Sequence, residues 1–285
     1  MQGKQVTFCN CSSRLAGRNR LMEPLLQRRF RSAAKYYLSG RPSYSSLLIR
    51  RVVELCALNS THKMLDLGSG PGQLAMAFAP LVQEVTALDP EPEMLEIGRK
   101  NASSDHFKIK FVQGSSYDLG PQFGRFQAAT IGRAFHWMER APTLHLLDAI
   151  IEPDGAVVLF NDSHPEVPEN SWHGPYEKVI EHYSEDDIER QKLRSPDWLK
   201  NEAILLASPF HQMERISIIE RRLTAVERFM DRALSLSITS QERLGAKADD
   251  LASEIRELMA KFALEGVVTE VVESTALIAR RNSPL

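Results

Sequence analysis

The run Met64-Leu-Asp-Leu-Gly68-Ser-Gly70-Pro-Gly72 narrows the choice of fold more than any other feature of the chain. A short apolar run enters a turn of three alternate glycines. A helical segment then runs from Gln73 to Ala79 and is stopped by Pro80. Glycine tolerates positive φ and lets backbone approach a ligand closely, so this spacing predicts strand, tight turn and helix in succession. The alternation continues. Further strands are expected over Glu84 to Leu88, Ile109 to Val112, Phe126 to Ile131 and Ala156 to Phe160, with helices over Glu91 to Lys100 and Thr143 to Ile151. Strands joined by helical crossovers imply a parallel sheet with helices on its faces.

The flanks differ. Leu25 to Leu38 and Leu47 to Leu58 read as lead-in helices. His164 to Pro209 is polar and broken, with short helical stretches. Met213 to Glu220 reads as a strand, Glu227 to Leu236 and Gln241 to Phe262 as helices, and Val267 to Arg280 as a final strand. The expected fold is therefore α/β: a doubly wound sheet of seven strands, the last pair antiparallel at its edge, with a helical cap inserted in the C-terminal half. The expected division is a lead-in and lid over residues 1–58, a cofactor-binding core over 59–162, and cap helices plus edge strands over 163–285.

Composition excludes several classes. Apolar residues make up 43% and charged residues 25% of the chain, as in ordinary globular proteins. No apolar run approaches the roughly 18 residues a membrane span needs, so no membrane partner is expected. Cys9, Cys11 and Cys56 make no disulfide framework, and no His or Cys near the first two completes a metal site. A reducing cytoplasm fits. Residues 1–51 carry a net charge of +10 and the remainder −12. The reading adopted is a basic helical face packed on the acidic body or on a neighbouring subunit, which leaves a homo-oligomer open. An anionic partner is the alternative.

Open α/β sheets bind ligands beyond the carboxyl ends of their strands, so the glycine turn is expected to touch a nucleoside-like cofactor. Asp89 ends the next strand, 17 residues past Gly72, where an acid accepts hydrogen bonds from ribose hydroxyls. The GxGxG spacing departs from the GxGxxG of dinucleotide sites.

On these residues the stretch from Met64 to Met94 resembles the first two motifs of class I S-adenosylmethionine-dependent methyltransferases, whose sheet is Rossmann-like. The resemblance implies that Gly68, Ser69, Gly70 and Gly72 line the methionine part of the cofactor, with Asp66 near its amino group. It implies that Asp89 holds the ribose, flanked by Pro90 and Met94. Gln113-Gly114-Ser115-Ser116 resembles the segment that meets the adenine. Relatives often carry an acid where Ser115 stands, so Ser115 or nearby backbone supplies that contact. Phe135-His136-Trp137 is similar to the Phe-His-Trp stretch of the small-molecule branch that includes trans-aconitate and quinone-pathway methyltransferases. Tyr37 and Arg41-Pro42-Ser43-Tyr44 resemble its lead-in, which closes over the cofactor.

The resemblance implies a methyltransferase that uses S-adenosyl-L-methionine on a small-molecule acceptor. His136 is the candidate general base, with packing beneath the cofactor as the rival account. Arg133, Phe135, Trp137, Trp172 and His173 are the candidate substrate contacts. No metal is expected. A cofactor-binding regulatory or assembly protein without methyl transfer is the alternative. Nucleic acid is not expected as a partner, because the chain is slightly acidic and has no Asn/Asp-Pro-Pro-Tyr site for a flipped base.

Overall fold

The computed structural model describes residues 30–102 and 108–282. Cys9, Cys11, the first part of the lead-in helix and most of the basic segment lie outside the described residues. The expected doubly wound sheet is present. Its strands are β1 (Lys63–Leu67), β2 (Glu84–Asp89), β3 (Ile109–Gln113), β4 (Phe126–Gly132), β5 (Ile151–Ser163), β6 (Gln212–Ala225) and β7 (Val267–Arg280). Their order is β3-β2-β1-β4-β5-β7-β6. The first five are parallel, and β7 runs antiparallel to both β5 and β6. The order reverses at β1, between β2 on one side and β4 on the other, so a crevice opens over the carboxyl ends of these strands.

Both faces of the sheet are covered. On one, α2 (Ser46–Leu55) and α3 (Gln73–Phe78) bury Leu48, Val52 and Phe78 against Val85, Val158 and Ile278. Ser45 caps α2 by accepting from the Leu48 amide at 3.4 Å. On the other face, α5 (Arg140–Ile150) packs Leu144 and Leu147 over Leu65, Ile131 and Val157. Between these, α4 (Pro92–Ala102) starts on a proline and ends on Arg99 and Lys100, as the helix dipole favours.

A third core lies above the strand ends. α1 (Ala34–Gly40), α6 (His173–Tyr183), α9 (Val226–Leu234) and α11 (Lys247–Ala260) pack together; Trp172, Tyr176, Ile180, Phe229, Leu251 and Ile255 fill the space between the last three. Shorter helices α7 (Ile188–Leu193), α8 (Asn201–Leu206) and α10 (Gln241–Leu244) link them. No described helix is long and apolar enough to cross a membrane.

The cap is fastened to the sheet by a buried ionic cluster. Glu270 on β7 is 1% exposed and accepts from Arg232 Nη1 at 3.0 Å, Arg232 Nη2 at 3.1 Å and Thr224 Oγ1 at 2.6 Å. The His164 ring nitrogen Nε2 lies 3.1 Å from the same carboxylate. Arg232 Nε in turn donates to the Gly40 carbonyl at the end of α1. One carboxylate therefore joins β6, β7, the end of β5, α9 and the lead-in helix. Burial alone would raise its pKa, but these donors hold it well below the usual carboxylate range.

Several element boundaries differ from expectation, among them the lead-in helices, which run Ala34–Gly40 and Ser46–Leu55. The helix expected over Gln241 to Phe262 is two, α10 and α11, separated at Gly245 with φ +58°. β6 continues five residues beyond Glu220, because polar Arg221, Arg222 and Thr224 still pair with β7. β5 begins at Ile151 and not at the expected Ala156, since Pro153-Asp154-Gly155 lies within the strand as a register shift against β4.

Candidate cofactor cleft and adjoining cavity

All three glycines of the turn adopt left-handed backbone, with φ +66° at Gly68, +53° at Gly70 and +79° at Gly72. A Cβ on Gly68 would lie 2.7 Å from the Ala134 Cβ, so that position is closed to any side chain. At Gly70 a Cβ would meet Tyr37 at 3.9 Å and the Met94 sulfur at 4.0 Å, ordinary van der Waals contacts. Gly72 is the N-cap of α3.

Two carboxylates hold this turn from opposite sides. Asp66 is 1% exposed. It accepts from the Ala75 amide at 3.0 Å and from Thr130 Oγ1 at 3.1 Å. Its oxygens thus fix the start of α3 and the adjoining strand β4 from beneath, and it does not line the cleft. Asp89, at the end of β2, accepts from the Gly70 amide at 2.7 Å and from the Glu91 amide at 2.9 Å, and it does line the cleft. Burial raises both pKa values, against the hydrogen bonds each accepts, to about 7 for Asp66 and about 6 for Asp89.

The cleft runs along the turn and across the ends of β2, β3 and β4. Gly68, Gly70, Asp89, Pro90, Met94, Ser115 and Ser116 line it. Arg133 and Trp137 from the loop after β4 form the opposite wall, with Tyr37 of α1. Glu91, Tyr117, Met138 and Phe30 also line it and were not singled out from the sequence. The acid Glu91 next to Asp89 was the one available signal; its burial, and then its neighbour Glu93, raise its pKa to about 8. Ser115 accepts from the Tyr117 amide and donates to Asp118 Oδ2 at 3.0 Å, in a capping box that orders the β3 end of the cleft.

A second cavity adjoins the first and shares Phe30, Tyr37, Arg133 and Trp137 with it. Its other walls include Arg41, His136, Asn161, Asp162, Arg190, Leu193, Leu236, Ser237 and Ile238, drawn from α1, β5, α7 and the segment after α9. His136 is half-buried. Its pKa is pushed down to about 4 by burial and then by Arg41 and Arg140, so it is neutral near pH 7.

Arg133 sits in left-handed backbone, with φ +55°. Its guanidinium pairs with Asp162, donates to the Pro42 carbonyl at 2.7 Å and lies over the Tyr44 ring. It braces the wall between the two cavities and presents little free donor capacity. Ser69 and Gly72 shape the turn and do not line the cleft. Phe135 is 3% exposed and points into the core beneath β4. Trp172 is 1% exposed within the cap core, and His173 stacks beside it and His164. These three line neither cavity. No cluster of three or more His, Cys, Asp or Glu suited to a metal occurs among the described residues.

Asp66 offers a test of this geometry. Its raised folded pKa means that the folded state prefers the protonated acid, so its contribution to stability declines as pH rises from about 4 through about 7. Asp66→Asn keeps an acceptor for one donor and removes the titration. We expect its urea midpoint to fall less than that of the parent protein between pH 5 and 8, by about 1–3 kcal/mol at one pKa unit per ~1.4 kcal/mol. An unchanged pH dependence would show that Asp66 is ionised without cost.

Comparison with known proteins fits this layout. Residues 64–155 match a family described as methyltransferase domain. An uncharacterized methyltransferase of Bacillus subtilis, YcgJ, is 27% identical over 119 residues, or 41% of this chain and 47% of its own. The release factor glutamine methyltransferase of Vibrio cholerae is 29% identical over 175 residues, covering 54% of this chain and 60% of its own. The chain spans about half the length of the curated relatives it matches. The crystal structure of YcgJ superposes with a TM-score of 0.50 at 18% identity, over 84% of this chain and all of that one, and supports the fold. The segment 64–155 is thus similar to a methyltransferase domain.

Proposed function

We propose that the chain is an S-adenosylmethionine-dependent methyltransferase that acts on a small-molecule acceptor held in the adjoining cavity. The observation that carries this reading is Asp89. Its carboxylate is fixed at the cleft wall by the Gly70 and Glu91 amides, beside a turn whose Gly68 and Gly70 line the cleft. A carboxylate so held retains lone pairs for two sugar hydroxyls. The chemistry of the cleft suits the cofactor: one acid for the ribose, Pro90 and Met94 beside it, and Ser115, Ser116 and Tyr117 at the β3 end for the adenine.

When bound, the cofactor supplies an activated methyl group on sulfur. The chain's own task is to bring the acceptor into line and to exclude water. Trp137, Tyr37 and Phe30 line both cavities and would frame the junction where acceptor and methyl donor meet. Asp66 is a positioning residue for the turn, and Arg133 is one for the wall between the cavities. His136 faces the acceptor's side. Neutral near pH 7, it accepts a hydrogen bond from an acceptor hydroxyl or amine and takes its proton only as bond formation acidifies it. A cytoplasmic location belongs to the same reading; Cys56 is a free, buried thiol.

Calorimetry with S-adenosylhomocysteine tests the proposal directly: binding in the micromolar range is expected, and none at millimolar concentration would remove its basis. Once an acceptor is in hand, His136→Gln is expected to lower kcat/KM by about tenfold, within the range of positioned acid–base groups. The pH profile between 6 and 8 should keep its shape. Loss of an acidic limb near pH 6.5 in the variant would instead mark His136 as an ordinary titrating base.

A further inference from the structure

The adjoining cavity contains three guanidinium groups, and two of them are answered. Arg133 is neutralised by Asp162. Arg190 donates to Ser184 Oγ at 2.6 Å and lies 3.6 Å from Glu181. Arg41 is different. Its Nε is buried with no hydrogen-bond partner, and its Nη2 reaches only the Ser235 carbonyl, at a long 3.4 Å. Among the described residues no carboxylate lies within ion-pair distance of it. A buried guanidinium donor left unmatched calls for a ligand or another explanation.

Position along α1 gives a direction. Tyr37 lines both cavities, whereas Arg41, four residues on at the C-cap, lines only the outer one. Four residues are roughly one helical turn, about 5.4 Å along the axis. Arg41 thus borders the outer cavity and not the cofactor cleft. The apolar part of the lining comes from Phe30, Trp137, Leu193, Leu236 and Ile238, beside the polar His136, Asn161 and Ser237. Among the described residues the one acid lining the cavity, Asp162, is already paired.

We propose that the acceptor is a small organic carboxylate with an apolar or aromatic body, anchored through its carboxylate by Arg41, with the methyl-accepting atom at the opposite end beside Tyr37 and Trp137. The inference rests on the methyltransferase reading. A planar fork with one unmatched cation suits a singly charged carboxylate better than a doubly charged phosphate. The cofactor's own carboxylate is the competing source of the same chemistry, and Arg41's absence from the cofactor cleft argues for the acceptor.

The test uses benzoate and its uncharged isostere benzamide as probes, titrated calorimetrically into protein saturated with S-adenosylhomocysteine. Benzoate is expected to bind at least tenfold more tightly than benzamide. Arg41→Met should abolish that preference while leaving the Kd for S-adenosylhomocysteine within twofold; Arg41→Lys, which keeps the charge, should retain part of it. Equal binding of the two probes to the parent protein overturns the proposal. So does a tenfold loss of S-adenosylhomocysteine affinity in a variant that melts normally, because Arg41 would then serve the cofactor. If Arg41→Met does not fold, the benzoate preference of Arg41→Lys decides, and an undiminished preference overturns it. Failure of S-adenosylhomocysteine to bind the parent protein would sink the methyltransferase reading instead, and the probe preference can still be read without it.

Discussion

Replacing Asp89 by alanine should raise the Kd for S-adenosylhomocysteine by about 100-fold or more, while the melting temperature changes far less. The expectation follows from what the carboxylate does twice over. It would accept two charge-assisted hydrogen bonds from the sugar, each contributing roughly 1.5–3 kcal/mol, and it already fixes the Gly70 amide at 2.7 Å. Asp89→Asn should fall between, since its amide can accept from one donor but turns an N–H toward the other. The same carboxylate predicts a pH dependence. Its pKa in the free protein is about 6. Ribose hydroxyls donate to the ionised form, so binding must expel the proton at lower pH, and affinity should fall about tenfold per pH unit below 6. Asp89→Asn should lose that slope. A Kd that is flat from pH 5 to 7, or unmoved by the alanine replacement, would mean that the sugar is held elsewhere.

The second large effect is on stability. Glu270→Gln should cost about 3–5 kcal/mol, the range for breaking one side of a buried ion pair. It leaves the Arg232 guanidinium 8% exposed with no matching charge. The paired replacement Arg232→Met with Glu270→Leu should recover more than half of that loss, because it removes both buried charges together. Linkage gives the sign with pH. The folded pKa of Glu270 is depressed, so its contribution is complete above the unfolded value near 4.3 and is lost as pH falls below it. Urea midpoints of the parent and the glutamine variant should therefore converge between pH 5 and 3. Parallel curves over that range, or a glutamine variant within 1 kcal/mol of the parent at pH 7, would show that the cluster contributes little.

The alternating core was legible in the sequence because each strand there is apolar and bounded by turn residues. The β7 limits, Val267 to Arg280, follow directly from an unbroken run rich in Val and Thr. β6 was cut short because an edge strand shows its polar face, and Arg221 and Arg222 hide the continuing ladder. The turn and Asp89 were readable from spacing, since both lie on the frame of β1 and β2. The outer cavity was not. Leu193, Leu236 and Ile238 come from segments of no strong periodicity, and only packing of the cap brings them beside α1. Trp172 and His173 were expected to face substrate because aromatics gather after β5. The third hydrophobic core, invisible as such in a linear pattern, takes the Trp172 ring. The left-handed backbone at Arg133 has no glycine to announce it.

The Glu270 cluster also bears on how an acceptor enters. A lid that swings as one body needs a hinge free of buried charge, and here five elements meet on one carboxylate in the middle of the joint. Opening the whole cap would strand that charge in a dry interior. Any passage to the outer cavity would then have to open beside the cap, where α7 lines it with Arg190 and Leu193 and is itself held by Arg190 to Glu181 and by Arg243 to Asp187. Access to the cavity would then be set at its rim, with the roof kept shut.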